Sequence, residues 1–459
     1  MLTSATVPTG ARMSDMAADR EPSSYRPTYD PAGEVVELCR DLIRMDTSNY
    51  GDDSGPGERK AAEHVATLLD EVGIGSELFE LESGRTSLVA QWGGTPGGEG
   101  ALLVHGHLDV VPAVAEDWQV DPFSGEIRDG YLWGRGAVDM KDFDAMMLSV
   151  VRARTRAGSV PERPIVLCFT ADEEAGGMHG ARVLVDEHRE HLAHCTEAIG
   201  EVGGFSATIR GQRLYLIEAA EKGMAWLRLT ARGRAGHGSM INTENAVSRL
   251  TEAVARIGSH QWPVRLTPAM ETLLATVAEM AGTEVNPDNV QDLAAEFGDG
   301  ARMISAVIRN TCNPTMLQAG YKVNVVPTEA TAHVDGRFLP GYEDEFFATI
   351  AELCGEGVER SIVSHQQPWE TPYDGELVDA MARCILAEDP GAKVAPYLMG
   401  AGTDAKHFRR LGLRSYGFVP LRLPEDLDFA ALFHGVDERV PVDSLEFGAR
   451  VLDRFFDEV

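Results

Sequence analysis

The sequence predicts an α/β protein, in which a three-layer α/β/α domain is interrupted by a smaller, ferredoxin-like α+β domain. Three observations predict it. Apolar strand-like runs alternate with helix-patterned stretches from Gly33 to about Glu218, the order that builds a largely parallel sheet between helices. From Lys222 the texture changes to long alternating strands, strand pairs and two helices. Candidate metal ligands cluster between residues 107 and 201, yet one further histidine, His434, stands near the C-terminus, so the chain must return to the first domain. That return is expected near "SHQQPWETPYDGE". The resulting division is a disordered tail over 1–30, a large domain over 31–221 and 365–459, and an inserted domain over 222–364.

In order along the chain, helical periodicity opens at Gly33 through Val35, Val36, Leu38, Cys39, Leu42 and Ile43, and again through Ala61, Val65, Leu68 and Leu69. Ala101 to Val104 reads as a buried strand, with His107 in the turn beyond its end, where open α/β sheets assemble sites. Two residues on, Asp109 can reach the second imidazole nitrogen and fix its tautomer; a plain loop hydrogen bond is the alternative. In "DGYLWGRGAVDMKDF" three glycines bend the chain around Asp139 before a helix pattern resumes at Met140. Asp139 is either a ligand at a helix entry or simply a helix cap.

Ile165 to Thr170 gives a second buried strand, followed by Asp172, Glu173 and Glu174. Three consecutive carboxylates repel one another unless a cation sits among them; a solvated acidic loop is the other reading. Adjacent glutamates can divide the labour, one binding metal and one accepting a proton. Ala198 to Gly200 forms a third, shorter run into Glu201. Imidazole and carboxylate without thiolate suit one or two Zn²⁺ ions kept open for catalysis, and Co²⁺ or Mn²⁺ accept similar ligands.

Beyond Lys222, the pattern predicts a strand to Ala231, a glycine-flanked His237, a helix over 245–257, a polar insertion over 268–302, strands around 304–309 and 324–337, and a helix over 343–354. His237 and Arg337 are candidate site residues whose plain alternatives are an exposed loop histidine and a surface ion pair. Asn324 lies in "KVNVVP". Gly402 and Thr403, in "GAGTDA", could offer backbone and hydroxyl groups to a carboxylate or form an ordinary glycine turn.

The motifs "GHLDVVP", "GRGAVDMK", "TADEE", "GEVGG", "GRAGHGS", "NVVP", "DGRFLPG", "GAGTDA" and "FHGVDERVP" occur in the order of a known family. From about Glu34 onward the chain resembles the di-zinc metallopeptidases that include aminoacylases, glutamate carboxypeptidases, carnosinase-like dipeptidases and succinyl-diaminopimelate desuccinylases. The resemblance implies a zinc-peptidase catalytic domain with an inserted lid that dimerises. It implies two Zn²⁺, one held by His107 and Glu201, the other by His434 and Glu174, with Asp139 bridging and a cis peptide at Asp139-Met140. Glu173 would be the general base for a zinc-activated water, and Asp109 would orient His107. His237 would reach across a homodimer to the partner's oxyanion, and Asn324, Arg337, Gly402 and Thr403 would bind substrate.

The expected reaction is cleavage of an amide or peptide bond in an N-acyl amino acid or short peptide with a free carboxylate, which Arg337 could receive through a bidentate fork. A dipeptidase is the alternative within enzymes, and a non-catalytic zinc-binding dimeric scaffold the alternative outside them. The retained Glu173 argues against the scaffold. A serine hydrolase is unsupported, since no GxSxG elbow is present.

At 459 residues, with 44% hydrophobic and 25% charged, the composition is that of an ordinary globular protein of three domains or fewer. A net charge of −31 excludes a nucleic-acid or anionic-membrane partner, because phosphate binding needs a cationic surface. Cysteines 39, 168, 195, 312, 354 and 384 are scattered without a CxxC pair and read as buried thiols. No run approaches the length of a membrane helix, and the first thirty residues lack the apolar core of a secretory signal. These features point to the cytoplasm.

Overall fold

The computed structural model describes residues 27–52, 54–82, 84–95, 98 and 100–459. Most of the tail expected over 1–30 lies outside the described residues. Its last stretch is anchored, since the Tyr29 hydroxyl donates to Asp453 at 2.8 Å.

The large sheet runs in the order Ser76–Glu80, Thr86–Trp92, Ile165–Thr170, Ala101–His107, Cys195–Gly200, Arg414–Gly417, Gln212–Glu221, Trp369–Glu370. Strands Lys393–Met399 and Phe205–Ile209 also pair with Gln212–Glu221. Period-two alternation feeds a core on each face. Leu102, Val104, Leu167 and Ile199 join the larger core with helices Val35–Ile43, Lys141–Arg156 and Val442–Glu458. Their neighbours Ala101, Leu103, Val166 and Ala198 join the second core with Ala181–Glu187. Strands apolar on both sides must be covered on both sides, which makes three layers.

The sheet is parallel only at its centre, among the strands of 165–170, 101–107, 195–200 and 414–417, and between 393–399 and 212–221. The flanks are antiparallel, correcting the largely parallel sheet expected. The reason is connection length. Only Arg210 and Gly211, both at positive φ, separate Phe205–Ile209 from Gln212–Glu221, and a two-residue turn can join only antiparallel neighbours.

The smaller unit has the order β-α-β-β-α-β: Gly223–Arg232, Ala246–Ser259, Thr311–Ala319, Glu329–Phe338, Glu343–Cys354, Val358–Gln366. Its four strands form an antiparallel sheet with 223–232 and 329–338 in the middle, the ferredoxin-like arrangement. Leu229, Leu250, Ile257, Val334, Phe346 and Ile350 form its own core.

The expected boundary of the inserted domain needs one correction. Helices Pro268–Ala281, Val290–Ala295 and Ala301–Val307 leave the smaller unit and cover the large one, where Met270, Leu273, Leu274, Val277, Leu293, Ile304 and Val307 enter its main core. Spacing of i, i+3, i+4, i+7 defines an apolar helix face but not the sheet it meets. The strand expected around 304–309 is part of the last of these helices. The chain therefore passes between units four times, near residues 222, 260–268, 309 and 367. Lys222 ties the first crossing to the third, donating to the carbonyls of Ala306 at 3.1 Å and Arg309 at 2.9 Å and to the Thr311 hydroxyl at 3.1 Å.

Candidate metal centre

Five elements converge at the C-terminal ends of the central strands. His107 is the last residue of Ala101–His107 rather than part of the turn beyond. Its Nε2 lies 3.1 Å from Asp139 Oδ1 and 3.2 Å from Glu201 Oε2. His434, half exposed in a left-handed backbone conformation, places Nε2 3.3 Å from Asp139 Oδ2 and 3.0 Å from Glu174 Oε2. Asp139 thus presents one oxygen to each histidine, and each histidine faces a second carboxylate. The peptide bonds Asp139-Met140 and Glu201-Val202 are both cis.

These separations fit a coordinated cation. Ligand atoms about 2.0–2.1 Å from a tetrahedral zinc stand about 3.3 Å apart, close to all four distances. Electrostatics agrees. Burial and the neighbouring Asp139 push the Glu174 carboxyl up to about 8, and burial raises Glu201 well above the usual range. Burial opposes a proton on His107, yet Glu201 and Asp139 hold it well above the ordinary histidine value. Hydrogen bonds to Asp139 and Glu174 bring His434 up to about 10. The cluster holds more negative charge than it can keep buried without a cation. Two three-residue groups, His107 with Asp139 and Glu174 and His107 with Glu173 and Glu201, each bring one ligand atom apiece within 4.8 Å of one another.

Asp109 plays a different part from the one expected. The His107 Nδ1 meets the Asp109 backbone carbonyl at 2.9 Å, while the carboxylate stands 3.6 Å away. That carboxylate instead accepts the backbone N–H groups of Glu173 and Glu174, each at 3.1 Å, and the Asn49 amide at 2.9 Å. Three donors around a fully buried carboxylate outcompete the imidazole, so the carbonyl fixes the tautomer and the side chain fixes the glutamate loop. With Nδ1–H donating to the carbonyl, Nε2 points its lone pair at the carboxylates unless a proton or cation lies between.

Several supporting residues escaped the sequence reading. Arg135 pairs with buried Glu438 at 2.6 Å and donates to the carbonyl of Gly435 at 3.0 Å, while Glu438 accepts the amides of Gly136 at 3.1 Å and Val138 at 2.8 Å. This pair clasps the His434 loop to the Asp139 loop. Both residues sit inside the quoted motifs "GRGAVDMK" and "FHGVDERVP", which was the available signal. Lys406 places its ammonium 3.4 Å from Glu173 Oε1. Asn49 also donates to Asp172 at 3.1 Å and accepts from Arg85 at 2.9 Å, and nothing in its local sequence marked it.

The remaining expected site residues divide. Gly402 and Thr403 line the same cavity as Asp139, Glu173, Glu174, Glu201 and His434, a space of about 760 Å³. The Thr403 N–H and O–H, however, both donate to buried Glu221, at 3.0 and 2.5 Å, so neither is available to a ligand here. His237, Asn324 and Arg337 do not line that cavity within one chain. His237 and Asn324 adjoin each other where Gly236–His237 pairs with Val325–Val326, and the Gly238 amide donates to the Asn324 carbonyl at 2.9 Å. His237 is exposed, with Nδ1 2.8 Å from the Ser239 hydroxyl. Arg337 forks onto Asp335 at 2.7 and 3.2 Å, the ion pair its plain reading anticipated.

Fold and site together define a hydrolytic enzyme of the metallopeptidase class. The sequence model described as peptidase family M20/M25/M40 matches residues 103–458, and the chain belongs to that family. Among curated relatives it is 27% identical over 444 residues to the N-fatty-acyl-amino acid synthase/hydrolase PM20D1 of Xenopus tropicalis, covering 90% of this chain and 83% of that protein. It is also 27% identical over 412 residues to human aminoacylase-1, covering 88% and 90%. Among solved structures, the M20 family metallo-carboxypeptidase Sso-CP2 from Sulfolobus solfataricus superposes with a TM-score of 0.71 at 17% identity, covering 93% of this chain and 99% of that one. Human carnosine dipeptidase 1 gives 0.66 at 15% identity, covering 93% and 96%. These two share the fold. The relatives support a peptidase or amidohydrolase role, in a family that is metal-dependent and includes a dinuclear member. Among the described residues no helix is long and apolar enough to cross a membrane.

Proposed function

We propose that this chain hydrolyses the amide bond of an N-acyl amino acid or a short peptide carrying a free carboxylate, using two divalent cations, zinc by ligand type. One observation carries the reading: Asp139 offers a separate oxygen to each of two histidines, and each histidine has its own second carboxylate. His107 and Glu201 would hold one ion, His434 and Glu174 the other, with Asp139 shared. The ions supply Lewis acidity toward the scissile carbonyl and toward water.

The protein's own groups do the rest. Glu173, fixed through its backbone N–H by Asp109, takes a proton from the attacking water and delivers it to the leaving amine. The Lys406 ammonium, 3.4 Å from Glu173 Oε1, holds that carboxylate in place beside the cluster. The His107–Asp109 carbonyl contact keeps Nε2 aimed into the cluster. Arg337 and Asn324 would receive the substrate carboxylate and His237 the oxyanion, in a second copy of the chain reached through the smaller unit. Exposed Met240, Ile241, Tyr321 and Val323, beside His237 and Asn324, supply an apolar surface suited to that contact. Six free, buried cysteines support a cytoplasmic setting.

The test is a panel of N-acyl amino acids and dipeptides assayed with metal-free and zinc-loaded protein. Zinc-dependent release of amino acid supports the reading. Undiminished hydrolysis in the metal-free protein, or zinc binding that survives loss of both histidines, overturns it.

A further inference from the structure

Buried arginines in this chain are paired. Among the described residues the four buried ones, Arg85, Arg135, Arg152 and Arg154, each hold a carboxylate within 3.2 Å. Acids outnumber bases 72 to 41, so partners are plentiful. Arg309 departs from that pattern. Its Nε is shut off from water without an acceptor, and its guanidinium has no hydrogen bond or ion pair among the described residues. A buried N–H left unmatched costs free energy, which a partner that comes and goes would recover.

The residue stands at the third crossing between the two units, just past helix Ala301–Val307. One side of this crossing borders the cavity that opens on the metal cluster. Met303 and Gly400 line that cavity, and a Cβ on Gly400 would stand 3.5 Å from Val307 Cγ1. On the other side Thr311 is the register partner of Arg337 in the four-stranded sheet. The Lys222 ammonium ties both sides together, donating to the Arg309 carbonyl at 2.9 Å and the Thr311 hydroxyl at 3.1 Å. Burial first, then the charges of Arg337 and Arg309, bring Lys222 down to about 7 against the opposing pull of Asp335. Three basic side chains thus crowd around one acid, and Arg337 already forks that acid. In a chain of net charge −31, a local excess of positive charge attracts an anion. A planar guanidinium selects a carboxylate among anions through its paired N–H groups.

We infer that Arg309 is a specificity-determining residue, which binds the free carboxylate of the substrate beside Arg337 at the junction of the two units. Because Asp335 neutralises Arg337, Arg309 supplies the net charge that holds the carboxylate. The inference rests on the amide-hydrolase reading above and deepens it: the carboxylate end decides which amides are cut.

The experiment uses the full zinc-loaded chain with N-acetylmethionine and N-benzoylmethionine, each as free acid and as carboxamide, and follows release of the amine product. Free acids should exceed carboxamides in kcat/KM by about a hundredfold. Arg309→Met should lower that ratio by about 10–100-fold, through a raised KM for the free acids with little change in kcat. Arg309→Lys, which keeps the charge without the fork, should fall between. All three proteins should cut the carboxamides alike, whereas a merely structural role would depress acid and carboxamide together. The ratio also does not depend on the fraction of folded protein. Calorimetric binding of the free acids to Glu173→Gln protein gives a readout without turnover, and adding Arg309→Met should weaken it by about 10–100-fold. Equal zinc-dependent hydrolysis of acid and carboxamide, or a ratio that falls in Arg337→Met but not in Arg309→Met, overturns the assignment and leaves amide hydrolysis intact. Binding that needs both the carboxylate and Arg309, with no hydrolysis of any member, supports the assignment and overturns the hydrolase reading. Neither binding nor hydrolysis overturns both.

Discussion

The metal cluster and the smaller four-stranded unit treat their site residues in opposite ways. Around the candidate metal cluster the supporting polar groups are buried and held by partners: Asp109 by three donors, Glu438 by Arg135 and two amides, His107 by a carbonyl. On the smaller unit His237 is exposed and Arg337 is turned onto Asp335. The first region is finished within one chain. The second carries groups that, on the function proposed, would reach reacting atoms only through another copy or a rearrangement. Preorganisation is concentrated where charge must be held fixed, and adaptability where a substrate arrives.

The largest effect tests the finished region. Glu173→Gln should lower kcat by about 10²–10⁴ while two zinc ions remain bound, read by steady-state kinetics beside metal analysis. Loss of zinc together with activity would show that Glu173 is a ligand instead. Next, His237→Ala should lower kcat by about 10²–10³ although the residue lies outside the cavity of its own chain. Mixing His237→Ala with Glu173→Gln protein sharpens the comparison, because mixed dimers would regain one intact site. Failure of the mixture to recover activity would mean that the smaller unit serves its own chain. Glu438→Gln should weaken zinc affinity by about 10–100-fold in a chelator competition without touching either ion, as loss of a group that orients ligands does. An unchanged affinity would show that the Arg135 clasp is dispensable.

The smallest effect is acid sensitivity confined to the large unit. Burial drives His407 down to about 4, and its Nε2 meets the Gly176 carbonyl at 2.9 Å, on the loop after Glu173 and Glu174. Its folded pKa is depressed below the ordinary value of about 6.5. The unfolded chain therefore binds more protons between those values, and stability falls as pH drops from about 6.5 to about 4. Hydrogen exchange of the loop around Gly176 should rise across that window while the 223–232 strand stays protected. A His407→Gln chain should lose the dependence; a pH-independent wild-type loop would remove the difference between the two regions.

Much of this was legible in the sequence, for identifiable reasons. Ile165 to Thr170 and Glu343 to Cys354 fall where the pattern placed them, because uninterrupted apolar runs and clear helical periodicity leave little choice. The five candidate ligands converge because each follows a strand end or a bend, and strand ends in an α/β sheet share one rim. The Asp109 carboxylate was misplaced since a two-residue separation cannot say whether a carbonyl or a side chain faces the imidazole. Arg135 and Glu438 lie about 300 residues apart, and no local pattern couples them. The insertion over 268–302 was expected to be polar and part of the smaller unit, whereas it is helical and packs on the large one, because an apolar face does not name its partner. Antiparallel flanks were missed where turns as short as Arg210-Gly211 were not weighed.

The fourfold traffic of the chain between its two bodies has a mechanical consequence. A body hung on one or two segments can swivel, but four tethers, two of them stapled by Lys222, leave rocking and shear as the soft motions. Because the insertion is stitched to the large sheet rather than carried with the smaller sheet, rocking would move His237 and Arg337 while the cavity beside the cluster kept its shape. Opening and closing would then leave the candidate ligands and their supporting clasp undisturbed.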